Sequence, residues 1–347
     1  MNARRLDRWG ASMIVIALLV GGCRAEVAEA APRPAAIGVA AARTGPPELG
    51  LVRWRRGYDA ALAVAKAEGK PLLVLFDEVP GCATVNAYGH EVLSDPILAD
   101  AAETLFVPVA VYNNEGGADR AVLDRFGEPA WNNPVVRFVG GDGREVAPRL
   151  THAEGAVGLA RRMVAALRAT GREVPGWLAV VADEGAETTA EATFATACFW
   201  EGEGALGALP GVTGSAAGFQ GGREVVRLEL DPAKTSREAV ERAARGLGYA
   251  PAGDGRFAPS AADDKYHLRH SPLRFVPMTP LQRTRVNAAL ARAGDVDAWL
   301  SPRQRALRDA IARRPDGGLP EQLDVGRDGL AAAWARVGET FSERKTD

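Results

Sequence analysis

Apolar and polar positions along the chain divide it into alternating helical and strand-like stretches. After Val52, apolar Tyr58, Leu62 and Val64, with alanines between them, recur at helical spacing, and Gly69 supplies the stop. Leu72 to Phe76 is an unbroken apolar run of the length of a buried strand. A second such run covers Leu105 to Val111, a helical pattern covers Ala118 to Phe126, and Val135 to Val139 forms a further strand. Gly140-Gly141-Asp142-Gly143 marks a hairpin turn, and a helix is predicted from about Glu154 to Ala169.

Farther on, Thr193 to Cys198 is strand-like, Val225 to Leu230 is a strand, and Thr235 with Glu238 reads as a capping box opening a helix toward Gly246. An α+β arrangement follows for residues 187–275. Two later segments, Thr279-Pro280-Leu281-Gln282 and Ser301-Pro302-Arg303-Gln304, share one design: a capping hydroxyl, proline at the first helical position and glutamine three after the cap. They predict helices at about 280–293 and 302–314, followed by a last helical pattern at about 326–341. This C-terminal region, 276–347, is expected to pack on the second domain.

The chain opens with Arg4, Arg5 and Arg8, then a run from Ala11 to Val20 that is apolar except for Ser12, then Gly21-Gly22-Cys23. Basic, apolar and small-residue parts in that order are the layout of a secretory signal. The apolar run is about half of the ~20 residues that span a bilayer, so it reads as a cleaved segment. Val20-Gly21-Gly22-Cys23 resembles the lipobox of bacterial lipoproteins, which implies lipidation at Cys23 and an exported chain anchored in the cell envelope, facing the periplasm if the cell is Gram-negative. An ordinary signal cut farther on would discard Cys23 but still export the protein. Residues 1–23 are thus assigned to the signal, and the Ala- and Pro-rich stretch 24–50 to a tether.

With 347 residues the chain has room for about two domains. A net charge of −2 gives no sign of a nucleic acid partner. Three cysteines, Cys23, Cys82 and Cys198, are too few and too scattered for a disulfide scaffold or a four-cysteine zinc site. His267 and His270, near Asp263 and Asp264, make a weak metal pattern and read as solvated surface. No cofactor is implied.

Asp77-Glu78-Val79-Pro80-Gly81-Cys82-Ala83-Thr84-Val85 joins a strand to a helix with a cysteine at the turn, and Trp131-Asn132-Asn133-Pro134 leads into the next strand. Loop and element order resemble the thioredoxin-like family, which implies an α/β thioredoxin-like domain over 51–173 with Pro134 at the family's cis-proline position. The family's second cysteine is absent, because Val85 stands there. At a helix N-terminus the Cys82 thiolate is favoured by unpaired amides; the competing reading is a buried, inert cysteine.

The later stretch Cys198-Phe199-Trp200-Glu201-Gly202-Glu203, then Leu209-Pro210-Gly211-Val212, Ala217-Gly218-Phe219-Gln220-Gly221-Gly222 and Asp263-Asp264-Lys265-Tyr266-His267, resembles the A-type peptide methionine sulfoxide reductases. The resemblance implies a shortened α+β domain with a ferredoxin-like core. Cys198 would be the nucleophile, Glu224 the acid, and Phe199, Trp200, Phe219 and Tyr266 the substrate box. Phe219 stands where the family has tyrosine, Gly222 where it has histidine, and a central segment between about Leu247 and Phe257 is missing.

A thiolate attacking a sulfoxide ends as a sulfenic acid, which needs a second thiol to resolve it. The second domain holds none, which leaves Cys82 as the resolving thiol and an external thiol reductant, thioredoxin-like or a membrane thiol donor, to reopen the disulfide. Two alternatives stand beside this oxidoreductase: a thiol peroxidase or disulfide exchanger centred on Cys82, and a non-enzymatic lipoprotein binding a soft metal ion through its thiolates.

Overall fold

A computed structural model describes residues 45–185, 190–313 and 318–343. The signal, Cys23 and most of the tether lie outside the described residues. The tether ends sooner than its composition suggests: Pro47–Leu49 form a 3-10 turn in which Glu48 and Leu49 are buried.

The first domain runs α1 (Tyr58–Glu68), β1 (Leu72–Asp77), α2 (Ala83–Glu91), α3 (Pro96–Leu105), β2 (Val107–Tyr112), α4 (Ala118–Phe126), β3 (Val135–Val139), β4 (Glu145–Thr151) and α5 (Gly155–Ala169). Its sheet has the order β2-β1-β3-β4, with β1 parallel to β2 and antiparallel to β3. Because side chains alternate along a strand, β1 serves two cores. Leu72, Val74 and Phe76 pack with α1 and α4, while Leu73 and Leu75 face α2, α3 and α5. Gly69 closes α1 at φ 61°, the left-handed conformation in which glycine carries no Cβ penalty. Helix α3 was not anticipated, and β2 begins two residues later than expected for that reason. Its signal was local: Asp95 caps it by accepting from the amides of Ile97 at 2.8 Å and Leu98 at 3.1 Å, with Pro96 at the first helical position.

Helix α6 (Gly176–Asp183), also unanticipated, packs on α5 and precedes the second sheet. That region is built from β5 (Ala190–Ala195), α7 (Phe199–Leu206), β6 (Val212–Gln220), β7 (Arg223–Leu230), α8 (Arg237–Gly246), β8 (Ala250–Pro251), β9 (Phe257–Pro259) and α9 (Tyr266–Arg269). The antiparallel sheet has the order β8-β5-β7-β6-β9. Through β8 this is the β-α-β-β-α-β order of a ferredoxin-like unit, with β9 added at one edge. Phe194, Phe199, Leu206, Val226, Leu228 and Val240 are among the side chains forming its core.

Two boundaries differ from the sequence expectation. Strand β5 ends at Ala195 and does not reach Cys198, which caps α7; its carbonyl already accepts from Gly202 N–H at 3.0 Å. The cap of α8 is Ser236 and not Thr235: the Ser236 hydroxyl accepts from Ala239 N–H at 3.2 Å.

The C-terminal helices α10 (Pro280–Ala291), α11 (Pro302–Ala312) and α12 (Leu330–Glu343) bridge both sheets. Both predicted capping boxes are present, and their glutamines bond each other through Gln282 Nε2 to Gln304 Oε1 at 2.6 Å and Gln304 Nε2 to Gln282 Oε1 at 2.9 Å. Packing on the second domain is the sequence expectation for this region. Helix α10 does lie on α7, but Leu300, Leu307, Leu330 and Trp334 join the core of the first domain, and Ser301 Oγ donates to buried Asp100 of α3 at 2.6 Å. No helix among the described residues is long and apolar enough to cross a membrane.

Candidate functional site

Strand β1 ends at Asp77, and the chain turns through Glu78 to Gly81 before α2 begins, which places Cys82 at the cap of α2 with extended backbone angles. Its thiol is exposed. The backbone amides of Val85 and Thr84 donate toward the sulfur and hold the thiol below its ordinary pKa, against a smaller opposing push from Glu78. An exposed sulfur at a helix N-terminus is poised for nucleophilic work.

Beneath this loop lie two buried carboxyl groups. Glu48, from the 3-10 turn ahead of the domain, accepts from Gly81 N–H at 2.9 Å and so ties the Cys82 loop to the preceding segment. Asp77 is fully buried; one oxygen accepts from Glu78 N–H at 3.1 Å and the other has no partner among the described residues. Burial pushes its pKa up to about 8, with the negative charge of Glu48 and Cys82 adding to the effect. The Tyr88 hydroxyl is also buried, and burial raises its pKa. Neither Glu48 nor Tyr88 stands out in the sequence, and Asp77 enters there only as the first residue of the Cys82 loop. An acid closing an apolar strand run at Asp77 was the available signal.

The Asn133–Pro134 peptide is cis, as is Val79–Pro80. Asn114 bonds Val79 in both directions, and Asn113 Nδ2 donates to Ala130 and Asn132 carbonyls at 3.3 Å, which links the loops carrying Cys82 and Pro134.

Cys198 caps α7 in the second region and is partly exposed. Thr196 N–H donates to the Glu224 carbonyl at 3.1 Å, and the Glu224 carboxylate accepts from Phe199 N–H at 2.9 Å. That bond sets the acid at the mouth of α7, next to the thiol, rather than out in solvent. Phe199 meets Phe219 edge-on at 5.5 Å and Trp200 at 6.3 Å. Trp200 stacks on Tyr266 with centroids 3.8 Å apart and 14° between planes. Phe219 is 39% exposed, so the aromatic cluster opens to solvent on that side. Tyr249, which sequence reasoning missed, sits within electrostatic reach: burial raises its hydroxyl pKa, with Glu201 and Cys198 adding.

The segment carrying Tyr266 is fastened by a buried ion pair. Lys265 Nζ lies 2.7 Å from Glu203 Oε1, 3.0 Å from Asp264 and 2.5 Å from the Ser215 carbonyl, while Lys265 N–H donates to Glu203 Oε2 at 2.7 Å. Burial pulls the ammonium pKa down, but the two carboxylates outweigh it and the net direction is up. Asp263 accepts from Trp200 Nε1 at 3.1 Å and from Ser260 Oγ at 2.6 Å. The reading of this stretch as solvated surface is corrected in part: Asp263 and Asp264 are engaged in hydrogen bonds within the fold and His267 Nε2 is buried, whereas His270 is exposed, its Nδ1 2.8 Å from the Tyr266 carbonyl. Among the described residues no group of three or more His, Cys, Asp or Glu side chains could hold a metal ion.

Six expected site residues thus gather at one place, namely Cys198, Phe199, Trp200, Phe219, Glu224 and Tyr266. Cys82 and Pro134 belong to the first domain, and the two thiols are not bonded to each other. Residues 53–141 match the Thioredoxin-like family. The first domain is thioredoxin-like, a fold consistent with thiol-redox chemistry. It is followed by a mixed α/β region of sheet and helices. A comparison with curated proteins finds no match to the chain.

Proposed function

We propose that the chain is an exported, lipid-anchored oxidoreductase that reduces methionine sulfoxide, or a related sulfoxide, at Cys198. The observation that carries the reading is the constellation at the mouth of α7: a thiol at a helix cap, a carboxyl bonded to the next amide at 2.9 Å, and an open aromatic cluster able to hold a methyl group. Cys198 sulfur attacks the sulfoxide sulfur, Glu224 protonates the oxygen, and methionine leaves with Cys198 as the sulfenic acid. Condensation with the Cys82 thiol releases water and forms a Cys82–Cys198 disulfide. An external dithiol then reduces that bond and is itself oxidised to a disulfide. Bonding requires the two Cα atoms within about 7 Å at the moment the disulfide forms. The membrane enters this reading through Cys23.

The exposed, acidified Cys82 also supports a second reading, in which it exchanges disulfides or consumes peroxide while the Cys198 region is only its partner. Single-cysteine variants separate the two. Under the proposal, Cys198→Ser forms no methionine from methionine sulfoxide, and Cys82→Ser forms one methionine per chain and then stops. Reduction of sulfoxide by the Cys198→Ser chain at the wild-type rate refutes the proposal.

A further inference from the structure

Away from both thiols, a cleft opens between the C-terminal end of α2, the start of α5 and the length of α12, with a volume of about 1090 Å³. Its floor is apolar: Val92, Leu330 and Trp334 are nearly fully buried, and Leu51 and Val157 join them. Ala331, Ala335 and Gly338 line it from α12 and are too small to fill it. The lining follows α12 from Leu330 to Glu339, a rise of about 14 Å, so the space is a trough and not a round pocket.

Two features of the trough call for a particular chemistry. The Nε1 of Trp334 is buried with no acceptor among the described residues, a condition that native folds rarely leave unanswered, so an occupant has to bring an oxygen. The lining arginines are already compensated, Arg303 by Asp100 at 3.3 Å and Arg327 by Asp95 at 2.8 Å and Glu184 at 2.9 Å. Glu91 at the end of α2, Asp328 just before α12 and Glu339 near the end of α12 are exposed and have no ion-pair partner among the described residues. Acids spread in this way do not gather on one charged group. They suit an elongated occupant that carries carbonyl oxygens, an apolar edge, a basic side chain and no acid, which describes a strand of polypeptide.

The chain itself delivers such a strand to this place. The first described residue is Gly45, and the backbone of Pro47 and Glu48 lies on the C-terminal end of α2: a Cβ on Gly89 would come within 2.3 Å of the Pro47 carbonyl oxygen. Gly89 directly precedes His90 and Glu91 of the lining, and Leu51, itself part of the floor, donates its N–H to the Leu93 carbonyl at 2.9 Å. The chain therefore enters at the mouth of the trough. The residues ahead of Gly45 are Ile37-Gly38-Val39-Ala40-Ala41-Ala42-Arg43-Thr44, a stretch with branched apolar side chains, a basic side chain close to the entry, no acid and no proline. Extended, Ile37 to Arg43 spans at most about 24 Å, enough to cover the trough. Alternation along a strand sets Ile37, Val39 and Arg43 on one edge.

We propose that the trough is the docking site of the chain's own residues 37–43, with Ile37 and Val39 on its apolar floor, a backbone carbonyl accepting from Trp334 Nε1–H, and Arg43 paired with Glu91. These residues then belong to the first domain and not to the tether, and they pack on α2, the helix that Cys82 caps. The inference is independent of the sulfoxide chemistry, and its test reads no activity.

The experiment is oxidative cross-linking within the full chain, with Cys23, Cys82 and Cys198 replaced by serine and Val39→Cys paired in turn with Ala331→Cys, Ala335→Cys and, as control, Leu247→Cys. Leu247 caps α8 outside the lining and is 51% exposed. The expected result is that at least one of the two trough pairs closes within the monomer about tenfold faster than the control, or more, because docking raises the effective concentration of residue 39 there. Arg43→Glu slows that closure by about fivefold, the worth of an exposed ion pair, and adding Glu91→Arg restores it. Ile37→Asp, which sets a charge on the apolar floor, slows it by about tenfold or more. Trough pairs that close no faster than the control overturn the proposal, as does closure indifferent to both Arg43→Glu and Ile37→Asp. Linkage into a covalent dimer also overturns it, since the trough then takes a segment of a second copy.

Discussion

Replacing Asp77 with asparagine isolates the buried acid beneath Cys82. In the folded chain this carboxyl titrates near 8, raised by burial, whereas in the unfolded chain it titrates at its ordinary value of about 3.9. Between those values the folded state keeps a proton that the unfolded state has lost. The acid therefore lowers stability as pH rises, by about 1.4 kcal/mol per unit, and the loss ends above the folded value. Summed over the window, the effect is on the order of 5 kcal/mol. Asp77→Asn removes it, since an amide does not titrate while its oxygen can still accept from Glu78 N–H. Urea unfolding of both chains at pH 5, 6, 7, 8 and 9 reads the difference directly. The variant gains on the parent steadily from pH 5 to 8, and the gap is constant above. A gap that stays within about 0.3 kcal/mol over that range refutes the assignment, because Asp77 would then ionise like an exposed acid.

Three further outcomes follow from the same geometry. Lys265→Met leaves Glu203 buried without its counter-charge, which costs about 3–5 kcal/mol in urea unfolding and frees the Trp200 indole N–H, seen as faster hydrogen exchange; unchanged exchange means that the ion pair does not hold the aromatic stack. In a Cys198→Ser chain, iodoacetamide labels Cys82 with a half-maximal pH below the ordinary ~8.5, and a value at or above it removes the role of the α2 amides. Glu224→Gln keeps an acceptor for Phe199 N–H but has no proton to give, so single-turnover formation of methionine slows by about 10²–10⁴ with stability little changed; a rate within threefold of the parent removes Glu224 from the proton path.

Elements with strong local signals were legible in the sequence. The apolar run at Leu72 to Phe76 is a buried strand, and the two capping boxes at Thr279 and Ser301 form as their spacing predicts. Helices α3 and α6 were missed although a proline stands at the start of each, because both are short and buried over most of their length, so an apolar face and a polar face do not alternate clearly. At the Cys198 end, Phe199 and Trp200 were readable as chain neighbours of the thiol, and Phe219, Glu224 and Tyr266 through the family resemblance of their motifs. Tyr249, Asp263 and the Glu203–Lys265 pair were not, since each comes to the thiol or the aromatic stack through tertiary folding: Lys265 meets Glu203 across 62 positions of chain. Glu48 was hidden for a related reason. It lies in a stretch whose alanine and proline content suggested a tether, yet its carboxylate is buried against Gly81 N–H, 33 positions away.

The central claim, that Cys198 reduces a sulfoxide and Cys82 resolves it, is tested most directly by stoichiometry. The reduced chain beginning at Arg24 is mixed with excess methionine sulfoxide and no other reductant, and methionine formed, thiols lost and disulfide-linked peptides are counted together. The expected result is one methionine for every two thiols lost, with Cys82 joined to Cys198. Two thiols remaining and no methionine contradict it.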